Sequence, residues 1–254
     1  MRIPIPAILA GRLLTSSVPP RHLSTATDVS PSSALSAATP RPDGMDGAAE
    51  EGGAGRRRPR ILCLHGRSQD GSILRNKISG ARRKLERAYD LDFVDGPIEL
   101  ESGDGRSGRA WWHRAADGTH VLVEEAFDHV ASSAGGDAGS YDAILGFSQG
   151  GTLAAGLALS GLLPNVACVV TAGAPYTPAV LEAGRGRGHG DAAVPMLHFA
   201  GETDAMVPVE STRELCERAG RGRLVVHEKG HLFPTRSSMV KEMLDFLESN
   251  ITNR

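Results

Sequence analysis

The residues with the clearest chemical potential are Gly146-Phe147-Ser148-Gln149-Gly150. A serine hydroxyl is a poor nucleophile at neutral pH. It needs a histidine to take its proton and an acid to fix that histidine's tautomer. The flanking sequence suits a strand-to-helix turn. Tyr141-Asp142-Ala143-Ile144-Leu145 reads as a short buried strand, and Gly151 to Leu163, rich in small residues and Leu, reads as a helix. A turn that sharp leaves no room for side chains at 146 and 150. It holds Ser148 in a strained backbone region with its hydroxyl clear of the sheet, and it points helix N-terminal N–H groups at a reacting carbonyl. The pentapeptide by itself is common, and the competing reading is an ordinary turn with a capping serine.

On such a turn the partners follow in the order serine, acid, histidine. Asp204 lies in Gly201-Glu202-Thr203-Asp204, just past the strand Met196 to Ala200. That is the carboxyl end of a strand, where open parallel sheets build their sites. Glu202 is its local rival, and Asp191 precedes the strand, at the wrong end. Of the later histidines, His189 is in a Gly/Arg stretch, His198 is inside a strand and His227 ends the last strand. His231, in Gly230-His231-Leu232-Phe233-Pro234, sits beyond that strand and is the expected base, which leaves His227 structural. An oxyanion needs two N–H donors. Gln149, which follows the nucleophile, supplies one. Arg67 supplies the other from the loop Leu64-His65-Gly66-Arg67-Ser68, with Ser68 as the rival and His65 as a structural support of that loop.

The elements that must position these residues alternate. Strands are expected at 61–64, 91–94, 141–146, 167–172, 195–200 and 224–227. Helices are expected at 72–89, 121–134, 149–163, 209–219 and 238–249. This is an α/β chain with a mostly parallel sheet and helices on both faces. The helix over 72–89 has a basic outer face that includes Arg75 and Lys77, read as solvated. Residues 95–118 read as irregular apart from a structural turn at Asp95-Gly96-Pro97, and 184–190 as a mobile insertion.

Composition removes other classes. The chain of 254 residues carries 28 Lys and Arg against 30 Asp and Glu, so nothing in its charge points to nucleic acid. No run of 18 apolar residues is present, so no stable membrane insertion is expected. Cys63, Cys168 and Cys216 are scattered without metal spacing, and no cofactor or metal is implied. Residues 1–57 form a separate region. Met1 to Thr27 holds Arg2, Arg12 and Arg21 but no acid, which fits a mitochondrial or plastid transit peptide, with a merely extended N-terminus of a cytoplasmic protein as the alternative. The stretch 28–55 is a linker that cannot build a core, and Arg56-Arg57-Arg58 reads as a solvated run. The domain proper is 58–254.

Several motifs in order make a family resemblance specific. They are Leu62-Cys63-Leu64-His65-Gly66, Phe93-Val94-Asp95-Gly96-Pro97, Arg109-Ala110-Trp111-Trp112, Gly146 to Gly151, Gly201 to Asp204 and Gly230 to Pro234. Over about residues 60–250 the chain resembles the family of serine hydrolases, in the ovarian-cancer-associated, esterase-like branch of the α/β-hydrolases. The resemblance implies an α/β-hydrolase fold and a metal-free carboxylesterase acting on small-molecule acyl esters, with Ser148, Asp204 and His231 as the triad. An acyl-thioesterase would use the same triad, and a non-catalytic hydrolase-fold binding protein is the rival of another class. The Gly-rich stretches 103–108 and 184–190 depart from the family pattern. Trp111 and Trp112 either line a substrate pocket or seal the core beside Ser148; the sequence supports both equally.

Overall fold

Short continuous apolar runs become the middle of a parallel sheet because both of their faces must be covered. The computed structural model describes residues 57–101, 107–133, 140–187 and 194–252. The leader and linker expected over 1–57 lie, except for Arg57, outside the described residues. The first half of the domain comprises β1 (Arg60–Leu64), α1 (Gly71–Lys77), α2 (Ser79–Leu85), β2 (Asp90–Val94), β3 (Ile98–Glu101), β4 (Ser107–Ala110), β5 (His113–Arg114), β6 (His120–Val121) and α3 (Val123–Ser133). The second half comprises β7 (Ala143–Phe147), α4 (Gln149–Ser160), β8 (Cys168–Ala172), α5 (Pro178–Arg187), β9 (Met196–Gly201), α6 (Val209–Ala219), β10 (Gly222–His227) and α7 (Ser237–Ile251).

The main sheet runs β10-β9-β8-β7-β1-β2, and each neighbouring pair is parallel. Side chains alternate across it. Ile61 and Cys63 join Leu74, Ile78, Leu85, Val240 and Met243 under α1, α2 and α7. Leu62 and Leu64 join Phe127, Leu153, Val180 and Leu215 under α3 to α6. Each fully buried Leu, Ile or Phe contributes about 1.5–3 kcal/mol, so two such layers hold the fold without a disulfide. The three cysteines are buried and form no disulfide, and burial pushes the Cys63 thiol far up, leaving it an inert core residue.

Four elements differ from the sequence expectation. The helix expected over 72–89 breaks at Ile78, whose backbone leaves the helical region at φ −93°, ψ 16°. Ser79-Gly80 are poor helix formers, and the break lets Leu74, Ile78, Ala81 and Leu85 all stay on the core. The described residues expected to be irregular over 95–118 include strands: β3 pairs with β4, and β5 pairs with β6 just beyond, as antiparallel ribbons. The stretch 184–187 is the end of α5 and not a loop. A Cβ on Gly184 would lie 2.4 Å from the Gly156 carbonyl oxygen, so a small residue there permits the close α4–α5 crossing. Residues 188–190, with His189 and Asp191, lie outside the described residues, as do Gly103 and Gly105. Finally, the basic run is tied down: Arg57 makes two hydrogen bonds to the Asp142 carboxylate, and Arg58 donates to the Glu86 and Tyr89 carbonyls.

His198 is fully buried in β9 and shares a 2.8 Å hydrogen bond with the Thr171 hydroxyl in β8. Burial pulls its pKa down to about 4, whereas an unfolded histidine titrates near ~6.5. The folded state therefore resists a proton that the unfolded chain accepts. Stability from this group is complete above the unfolded value and is lost as pH falls through that window. Chemical denaturation of the protein should show a slope approaching one proton between about pH 6.5 and 4. His198→Asn, whatever its stability at neutral pH, should lack that component; an unchanged slope would assign the acid sensitivity elsewhere.

Candidate active site

The elbow between β7 and α4 is as tight as its glycines require. A Cβ on Gly146 would lie 2.4 Å from the Gly150 carbonyl oxygen, and one on Gly150 would lie 2.4 Å from the carbonyl oxygens of both Leu64 and His65. Ser148 at the tip has φ 53° and ψ −121°, a backbone conformation that a side chain rarely adopts. Its N–H is held by the Ala172 carbonyl at 2.8 Å, and its carbonyl accepts from Gly151 and Thr152. Its side chain makes no capping bond to α4, so the capping reading has no support here. The residue stays partly exposed at the carboxyl edge of the sheet.

Asp204 and His231 come together at that same edge. Asp204 Oδ2 lies 2.6 Å from His231 Nδ1. Its other oxygen accepts from the Met206 and Val207 amides, both at 2.8 Å. The carboxylate, 1% exposed, is thereby fixed with one oxygen on its own loop and one on the imidazole. With Nδ1 taken, Nε2 is the nitrogen left to accept a proton. The ring packs on Phe147, the neighbour of the serine, with centroids 4.9 Å apart. Its edge lies against Gly173, where φ is +56° and an added Cβ would meet Cε1 and Nδ1 at 2.9 Å. Gly173→Ala should therefore displace the imidazole as well as strain the turn. A shift of about 1 Å in a catalytic group can cost 10²-fold, and a loss near that size in turnover, with the folded state retained by circular dichroism, is the expected result.

The rivals fall elsewhere. Glu202 is exposed, and His227 is buried with Nδ1 accepting from the Lys229 amide.

The loop expected to receive the oxyanion is organised by His65. The Gly96 N–H donates to Nε2 at 2.8 Å, so Nδ1 carries the proton and donates to the Gly66 carbonyl at 2.8 Å. Burial lowers the pKa of this imidazole and keeps it neutral. The Gly66 carbonyl belongs to the same planar peptide as the Arg67 N–H. Anchoring the oxygen on one side aims the N–H to the other. Among the described residues neither the Arg67 nor the Gln149 backbone N–H is engaged, whereas the Ser68 N–H is spent on the Arg109 carbonyl at 2.8 Å. The loop reaches the elbow: a Cβ on Gly66 would lie 3.2 Å from Ser148 Cβ.

Sequence reasoning missed the Gln149 side chain. Its Oε1 accepts from Trp111 N–H, and its Nε2 donates to the Trp112 carbonyl, which clamps the ribbon segment onto the elbow. Trp111 is 0% exposed and its indole donates to the His65 carbonyl; Trp112 is 4% exposed. Both seal the core, so the pocket-lining role held open for Trp111 and Trp112 gives way to the packing one. The signal available in the sequence, a pair of aromatics, cannot separate the two. No cluster of His, Cys, Asp and Glu able to hold a metal occurs among the described residues, and no helix there is long and apolar enough to cross a membrane.

The family model described as serine hydrolase (FSH1) matches residues 56–243. The chain belongs to this serine hydrolase family. Among relatives of the hydrolase, Esterase OVCA2 of Bos taurus is 27% identical over 74% of this chain and 95% of its own length. Esterase OVCA2 of Danio rerio is 28% identical over 74% and 96%. An uncharacterized hydrolase of Schizosaccharomyces pombe, C22A12.06c, is 28% identical over 74% of this chain, which spans only 50% of that protein. Solved structures share the fold: Arabidopsis thaliana SOBER1 matches at TM-score 0.58 and 18% identity, covering 76% of this serine hydrolase and 99% of the other chain. Zea mays acyl-protein thioesterase 2 matches at TM-score 0.56 and 17% identity, covering 78% and 96%. The fold is that of the α/β-hydrolases.

Proposed function

We propose that this serine hydrolase is a carboxylesterase that cleaves small-molecule acyl esters through a Ser148, His231 and Asp204 triad. The observation that carries the reading is the 2.6 Å Asp204–His231 bond beside a strained, partly exposed serine on a helix N-terminus. Ser148 Oγ attacks the ester carbonyl and His231 Nε2 takes its proton. Asp204 stabilises the imidazolium, and the Gln149 and Arg67 N–H groups receive the oxyanion. His231 then protonates the departing alcohol. A water that gives its proton to His231 releases the acid and restores the serine.

The test is hydrolysis of p-nitrophenyl esters from acetate to palmitate by the full chain, with fluorophosphonate labelling of Ser148 in parallel. Turnover with labelling supports the esterase, and the preferred chain length sizes the acyl site. A matched thioester hydrolysed far faster than its oxygen ester would move the activity to thioesterase. Neither turnover nor labelling would leave a hydrolase fold that only binds. The stretch Met1 to Thr27 belongs to the same proposal as an organellar address, read out by where a fluorescent fusion of the full chain accumulates.

A further inference from the structure

Lys77 is the last residue of α1, and the helix break at Ile78 follows it directly. Lys77 itself is exposed at that end of α1. Its Nζ lies 4.5 Å from the centroid of the Phe147 ring. That ring precedes Ser148 in the chain and packs on the His231 imidazole at 4.9 Å. One aromatic ring thus contacts both an ammonium group and the proposed base, a separation on the scale of the roughly 8–10 Å over which charges act in physiological salt.

Among the described residues no ion pair holds this ammonium, which leaves it open to an anion from outside. Burial alone pulls the Lys77 pKa down, with no carboxylate opposing it. The acids of neighbouring segments are committed elsewhere. Asp70 caps α1 through the Ile73 amide and the Ser72 hydroxyl. Asp95 accepts from the Gly71 amide, and Glu86 is bonded by Arg82. Contact with the Phe147 face is a weak attraction for an ammonium compared with an ionic hydrogen bond.

We propose that Lys77 is a specificity residue that binds a carboxylate carried by the substrate, so that the preferred esters of this site are anionic. The inference rests on the esterase reading and names the class of substrate for that site. A carboxylate near the Phe147 ring would take the ammonium as its partner while the ester carbonyl sits on Ser148. Arg67, exposed on the oxyanion loop, adds positive potential on the same edge.

The test compares kcat/KM within two pairs of esters, using the full chain at low salt. p-Nitrophenyl hemiglutarate against p-nitrophenyl valerate places the charge on the acyl part. 4-Butyryloxybenzoate against its methyl ester places it on the leaving group. The wild type should favour the anionic member of one pair by about tenfold, the scale of one charge-assisted contact. Lys77→Met, which keeps the apolar stem, should bring that ratio close to one; Lys77→Arg should retain most of it, and added salt should shrink it. Equal rates within both pairs, or a preference that survives Lys77→Met, would overturn the role of Lys77 while leaving the esterase intact. Hydrolysis of none of the four esters would overturn the esterase reading and this inference with it.

Discussion

Ser148→Ala is expected to abolish the proposed ester turnover and fluorophosphonate labelling while leaving thermal stability unchanged. Both halves follow from the geometry. The strain at Ser148, φ 53°, resides in the backbone and in the presence of a Cβ; alanine keeps that Cβ, which already fits 3.2 Å from the site of a Gly66 Cβ. The hydroxyl makes no capping bond to α4, so its removal strands no helix amide. What disappears is the nucleophile. In serine hydrolases of this logic the loss is on the order of 10⁶-fold in kcat, down to what the oxyanion donors and binding achieve alone. A Ser148→Ala enzyme that keeps more than about a hundredth of wild-type activity would move the nucleophile elsewhere.

Asp204→Asn is the second large effect, and its size comes from which oxygen does what. One carboxylate oxygen accepts two amide hydrogens, from Met206 and Val207, and the other faces His231 Nδ1. An asparagine will keep its carbonyl oxygen on the two amides, because turning its NH₂ toward them would oppose donors to donors. The NH₂ then faces Nδ1 and forces that nitrogen to accept. The imidazole proton moves to Nε2, which can no longer take the serine proton. A fall of about 10⁴-fold in kcat is expected, with little change in KM and a parallel fall in the rate of phosphonate labelling. The fold should be unaffected, since the loop bonds to Oδ1 survive. Near-normal turnover in this variant would make the Asp204–His231 bond structural and reopen the choice of acid.

Much of this was readable without coordinates. Buried strands in a parallel sheet advertise themselves as continuous apolar runs, so β1, β7, β8 and β9 lie within two residues of the expected 61–64, 141–146, 167–172 and 195–200. The pairing of Asp204 with His231 was legible because chain order and position past a strand end constrain them to one edge of the sheet. Local steric demand did the same for Gly146 and Gly150, whose missing side chains would have struck neighbouring backbone.

Other features depend on who meets whom across the fold. The break at Ile78 follows from the core's need to keep both halves of one amphipathic segment, and periodicity alone continues the helix. The α5 stretch at 184–187 looked like a loop because glycine is a poor helix former; its reason for being glycine is the Gly156 backbone against it. The fate of Trp111 and Trp112 hung on a buried glutamine from another element, and the aim of the Arg67 N–H on His65 and Gly96. Sequence determined which residues could do chemistry and in which order they meet the sheet edge, because those constraints are local or topological. The tertiary structure decided which hydrogen bonds each polar group spends on the scaffold and which it leaves for a substrate, because a buried donor or acceptor takes whatever partner the packing brings near it.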